Sequence, residues 1–225
     1  MFKTSAARED SRQTRAYPAL PLDLNEDNIT RLWFMSGLFQ LAILVALVPA
    51  HYFDERLLAG VAIWVKPIKF SVSLAIHFFT LAILAQQLGR EHRTGKTLTV
   101  FGYAAVASML LEQIYISIQA GRGRHSHFNA ETALEITMYN LMGFAAILLV
   151  AVSFVLGLLI WRHGCKTAPS QGQRGNAGLR LGSILGLTIG SLLTLVFAGY
   201  MSMSNSHLVG QVATDSQGLT IVGWY

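Results

Sequence analysis

The sequence predicts an all-α fold, a polytopic transmembrane helix bundle of about five spans with its amino terminus in the cytoplasm. Three observations predict it. Charged residues make up 13% of the chain, about half the ~25% typical of a soluble domain, which leaves too little polar surface to cover a soluble core of this size. The apolar residues, 52% of the total, gather in blocks of roughly 17 to 25 residues, the length at which a helix rising ~1.5 Å per residue crosses ~30 Å of hydrocarbon. The loops between blocks are short, roughly 10 to 20 residues, so consecutive helices become antiparallel neighbours.

Residues 1–31 form a polar tail that carries both signs of charge together with Pro18 and Pro21. The first apolar block covers 32–48. Its ending, Val48-Pro49-Ala50, imitates a signal-peptide cleavage site, but the charged leader before it is too long for one, so an uncleaved span is expected. Further spans are expected at 70–87, 97–119, 136–161 and 181–203. Pro67, between Lys66 and Lys69, marks where the second helix begins or bends. Of the 17 Lys and Arg, twelve flank one side, and Arg56, Lys66, Lys69, Arg122 and Arg124 the other. Positive residues favour the cytoplasmic side, so the amino terminus is expected inside and the tail at 204–225 outside. That tail closes on an apolar run with Trp224 and Tyr225, which either rests at the interface or precedes a further span.

Composition also excludes function classes. The net charge of +5 and pI near 9.6 are spread over tails and loops without a basic stripe, so nucleic acid is not an expected partner. A single cysteine, Cys165, excludes an internal disulfide and a Cys-rich metal site. The chain contains no complete Gly-x-x-x-x-Gly-Lys-Ser/Thr phosphate-cradling loop and no His-Glu-x-x-His. No catalytic residue and no resident metal or cofactor is expected.

An ionisable side chain in hydrocarbon costs at least ~2.5 kcal/mol on insertion scales, so each one needs a partner or a purpose. On the second helix Lys66, Lys69, Ser73, His77 and Thr80 share one face by spacing, and on the third Ser108, Glu112, Tyr115 and Gln119 share another. Two such stripes on adjacent antiparallel helices make a polar seam, in which Glu112 is expected to pair with Lys69 or His77. The loop after Gln119 adds Arg122, Arg124, His125, His127 and Asn129 at the outer mouth, with Gly121 and Gly123 permitting tight turns. Arg forks suit phosphate or carboxylate. Positive charge on this side runs against the topological bias, so Glu112, Glu131, Glu135 or a bound anion should balance it. The stretch from Asn129 to Thr132 is placed to cap the fourth helix, with Glu131 at its first turn. Asn140 is expected to hydrogen-bond between helices. The fifth helix carries Gly178, Gly182, Gly186 and Gly190 at four-residue spacing, a ridge that permits close packing against another helix or a second protomer.

The blocks Trp64-Val65-Lys66-Pro67-Ile68-Lys69-Phe70-Ser71 and Arg122-Gly123-Arg124-His125-Ser126-His127-Phe128-Asn129, with Glu112 upstream, resemble a family of bacterial multi-pass membrane proteins of no known function. The resemblance runs from about Trp33 to the end and implies an inner-membrane location. Members of that family continue past the Gly-Trp present here at Gly223-Trp224 into further helices with a His-containing segment, so the resemblance implies a longer chain.

Three functional expectations follow from the residues. The first is a small transporter or binding protein for an anionic small molecule entering from the outer face, attracted by Lys66, Lys69, Arg122 and Arg124, with Glu112 and His77 coupling protons and Gln119, His127 and Asn129 at the mouth. The second is a redox protein in which His77, with His127 or a residue elsewhere, ligates haem. The third is an assembly partner in the lipid bilayer that forms homo-oligomers through the fifth helix.

Overall fold

In the computed structural model the described residues are 24, 27–58, 60–127, 129, 132–164 and 177–203. Cys165, Glu131, Trp224 and Tyr225, and most of both tails, lie outside them. Five helices are long and apolar enough to cross a membrane: α1 (Asn28–Phe53), α2 (Val65–Ala85), α4 (Lys96–Gly121), α5 (Ala133–His163) and α6 (Ala177–Met203), with the single turn α3 (Arg90–Arg93) before α4. The chain is therefore an all-α, multi-pass membrane protein. The expected five spans are present, each longer at one or both ends than its apolar block except the second, which gains a turn at its start and ends two residues early.

Those differences have local causes. α1 begins at Asn28 because Asp27 caps it, its carboxylate accepting from the Thr30 amide at 2.7 Å. The helix then runs through Pro49 to Phe53. α2 starts at Val65 because Pro67 falls in the first turn, where no backbone donor is required. α5 starts at a side-chain cap: Thr132 Oγ1 accepts from the Glu135 amide at 3.2 Å and donates to the Glu135 carboxylate at 3.0 Å. Thr132 is thus the cap in the Asn129 to Thr132 stretch, with Glu135 the acidic residue of the first turn. Between α1 and α2 sits the two-residue hairpin β1 (Leu57–Leu58) and β2 (Val61–Ala62), paired antiparallel and turned at Gly60, whose φ of +79° a side chain would strain.

α1 lies along most of α2, α4 packs mainly on α5, and α6 packs on α5 at the edge of the bundle, while α2 and α5 touch sparsely. Trp33, Phe78, Leu81, Leu98, Met109 and Leu156 form the fully buried centre. Large side chains enter where a facing residue is glycine. A Cβ on Gly102 would lie 3.1 Å from the Trp33 ring, and one on Gly37 2.7 Å from the Phe79 ring. Outside, Val45, Tyr103, Ile147 and Val196 are exposed, as lipid contact requires.

One packing expectation is narrowed and one changes. α6 meets α5 through Ser183, Leu187 and Ser191, and nothing lies within 4 Å of a Cβ built on Gly182, Gly186 or Gly190. The glycine ridge is turned away from the rest of the described chain. The close approach is made by Gly157 of α5, where a Cβ would meet Thr188 at 2.8 Å and Leu187 at 2.9 Å. Asn140 is exposed and makes no hydrogen bond among the described residues, because α5 turns its Met142, Ala145 and Leu149 side inward. We expect Gly157→Leu to destabilise the protein by about 1–3 kcal/mol through overpacking, whereas Gly186→Leu leaves monomer unfolding unchanged. Chemical unfolding in detergent, followed by circular dichroism, distinguishes the two.

Candidate functional site

The polar residues of the seam arrive at the loop end of the bundle, where α1, α4 and α6 finish and α2 and α5 begin. α2 buries Pro67, Ser71, Leu74 and Phe78, so that line faces α1 and α4. The stripe of Lys66, Lys69, Ser73, His77 and Thr80 is rotated off it: Ser73 and Thr80 are exposed, and His77 lines a cavity with Leu149 and Val150 of α5. α4 does turn its stripe inward, with Ser108, Glu112 and Gln119 buried. The two stripes therefore do not face each other along their length.

Glu112 is 2% exposed, nine residues or roughly 14 Å from the end of α4. Its Oε1 has no hydrogen-bond partner. The charge of Lys66, a partner that the spacing argument had not named for it, acts on Glu112. Lys66 itself is hydrogen-bonded to the loop, its Nζ lying 3.1 Å from His127 Nδ1. An ammonium only donates, so His127 accepts there as a neutral ring. Ser126 Oγ lies 3.1 Å from the same nitrogen, and the His127 ring stands 6.4 Å from both Phe70 and Tyr139. Beside Glu112, Gln113 donates to the Pro67 carbonyl at 3.4 Å, leaving its own Oε1 unpartnered.

The Arg/His loop is folded onto the bundle. Arg124 forms an ion pair with the buried Glu135 at 2.8 Å. Arg122 donates to Gln119 at 3.0 Å, and Gln119 donates to Tyr115 and to the His125 carbonyl, which also accepts from Asn129. The charge of this loop is thus met in part by Glu135, one of the compensating groups expected. Gly123 supplies the turn at φ +66°.

Asp54, beyond the end of α1, accepts from Arg56 at 2.7 Å and from the Trp64 indole at 2.9 Å. Arg56 also donates to the Gly121 carbonyl at 3.0 Å, tying the hairpin to α4. The Arg56 bonds, and after them that from Trp64, hold the Asp54 carboxyl well below the usual carboxylate range.

Sequence reasoning placed Asp27 in the tail and Arg93 among the topology charges. They form a buried ion pair at the opposite end, Arg93 Nε to Asp27 Oδ2 at 2.9 Å, with side-chain exposures of 6% and 0%. Arg93 also donates to Gln86, which donates to Thr30, so one network joins α1, α2 and α3. The Asp-x-x-Thr cap pattern was the available signal. Gln40, at the centre of α1, is fully buried with neither side-chain polar atom partnered, and the Trp33 indole is unpartnered too.

Among the described residues no group of three His, Cys, Asp or Glu side chains is arranged to hold a metal ion. His77 and His127 belong to different surroundings, His127 beside Phe70 at the mouth and His77 two turns deeper. No family model, curated protein or solved structure matches the chain.

Two outcomes are expected. Because the Asp54 carboxyl is held low, its contribution to stability is present above the unfolded carboxylate value of about 3.9 and is lost as pH falls below it. The difference in melting temperature between the wild type and Asp54→Asn should stay constant from about pH 8 to 5 and shrink below about pH 4. Removing Arg93 leaves Asp27 as an uncompensated buried charge, so Arg93→Leu should cost about 3–5 kcal/mol, measurable by chemical unfolding.

Proposed function

We propose that this integral membrane protein is a small transporter or binding protein for an anionic small molecule that enters from the loop end. Lys66 is the residue that receives the anion and Glu112 the one that takes up a proton with it. The observation that carries this reading is Glu112: a buried carboxyl with an open oxygen, beside a lysine hydrogen-bonded to a loop histidine instead of to the carboxylate. A pair serving only to hold helices together would close directly, since an open buried polar atom is costly.

The chemistry follows from charge counting. With Lys66 charged and Glu112 ionised the buried site is neutral. An anion drawn to Lys66 takes over its compensating role, and neutrality is restored when Glu112 gains a proton. His127, accepting from Lys66 at the mouth, can hand the lysine over to the incoming anion without leaving it bare. The arginines of the loop already have protein partners, which favours a steering and structural role for them over a direct grip on the ligand.

The twelve-to-five distribution of Lys and Arg supports a cytoplasmic amino terminus and an outward-facing loop in a bacterial inner membrane. The KPIKF and RGRHSHFN blocks supply Lys66 and His127, which supports membership of the family they resemble.

Thermal unfolding in detergent with inorganic phosphate, succinate and gluconate tests the proposal. At least one anion should raise the melting temperature by roughly 2–4 °C at saturation. Lys66→Ala should abolish the shift, and Glu112→Gln should remove its pH dependence. No shift with any of the three, or a full shift retained in Lys66→Ala, would overturn it.

A further inference from the structure

Below the mouth, α2 and α5 diverge and leave a cavity of about 290 Å³ lined by Phe70, Ser73, Leu74 and His77 of α2 and Leu149 and Val150 of α5. This is close to the lower size of small-molecule pockets. Its walls are apolar apart from two groups. Ser73 stands exposed at the rim, so the cavity opens sideways between the helices. His77 is the other: the Leu149 backbone lies within reach of its ring, and its Nε2 is buried without a well-formed hydrogen bond.

An imidazole nitrogen left open in hydrocarbon is expensive. The molecule that relieves it must be apolar over most of its surface and carry one polar atom. Depth decides which class. His77 lies twelve residues into α2, roughly 18 Å along a helix of roughly 30 Å, near the middle of the bilayer. Phospholipid ester and headgroup oxygens stay near the interfaces and do not reach it, while acyl chains that do reach it have no polar atom. A lipid-soluble ring bearing oxygen reaches both the depth and the nitrogen.

We infer that the cavity between α2 and α5 is a binding site for a quinone-type ring that enters from the bilayer, held by a hydrogen bond to His77 and packed against Phe70, Leu74, Leu149 and Val150. A quinone carbonyl accepts from a protonated Nε2, and the corresponding quinol hydroxyl donates to a bare one, so either ring tautomer has a partner. The Phe70 ring, tilted at 46° to the His127 ring, lies at the end towards the mouth. This site is separate from Lys66 and Glu112, and the inference does not depend on the anion reading.

Equilibrium binding to the full chain in lipid nanodiscs, with duroquinone as probe and durene as its oxygen-free counterpart, tests it. Duroquinone should bind saturably and about tenfold or more tightly than durene, the worth of one buried hydrogen bond. His77→Phe keeps the volume and should erase that preference while leaving durene unchanged. Leu149→Trp fills the space and should abolish binding of both, and Lys66→Ala should alter neither. Absence of saturable duroquinone binding, equal affinity for durene, or an unaltered preference in His77→Phe would overturn the inference.

Discussion

Between helices already surrounded by hydrocarbon, an apolar side chain gains little by exchanging lipid for protein, so the bundle depends on how closely its helices approach and fit. Three of the close approaches are made at a glycine that admits a bulky neighbour: Gly37 receives Phe79, Gly102 receives the Trp33 indole, and Gly157 receives Leu187 and Thr188. These three contacts join α1 to α2, α1 to α4 and α5 to α6. The positions of Lys66, Glu112 and His77 relative to one another follow from that arrangement, because each is carried on a helix whose rotation the glycine contact fixes.

Polar groups complete the structure at the two ends, where water can be excluded without loss of hydrogen bonds. At the tail end Asp27, Thr30, Gln86 and Arg93 form one network across three helices. At the loop end Asp54, Arg56 and Trp64 bind the hairpin to α4, and Arg124 with Glu135 binds the loop to α5. The middle is different. Gln40, Ser71, Glu112 and His77 each keep a buried polar atom without a well-formed hydrogen bond. Buried polar atoms of this kind are few in most proteins, and here they gather in the middle of the bundle.

The class of the protein was legible because hydropathy over twenty residues depends on the membrane alone and needs no tertiary information. The polar stripe of α4 was also legible, since Ser108, Glu112 and Gln119 share a face that is buried. The stripe of α2 misled for a physical reason. Spacing shows which residues share a face but leaves open which neighbour that face meets, and here the apolar line through Pro67, Leu74 and Phe78 took the interior. The glycine ridge of α6 makes no contact within the described chain, and the close approach of α6 to α5 is made instead at Gly157, a lone glycine without any periodic signal. Asp27 and Arg93 were hidden because each sits at the edge of a charged segment, where burial depends on long-range pairing.

α2 is the element on which these threads meet. Its first turn is rigid, with Pro67 inside it, and from that turn the side chains diverge. Ser71 goes to the interior, Lys66 stands between the interior and the loop, and Phe70, Ser73 and His77 turn towards α5. His127 meets two of these directions at once, through the Lys66 ammonium and the tilted ring of Phe70, and its neutral form is required by its role as acceptor.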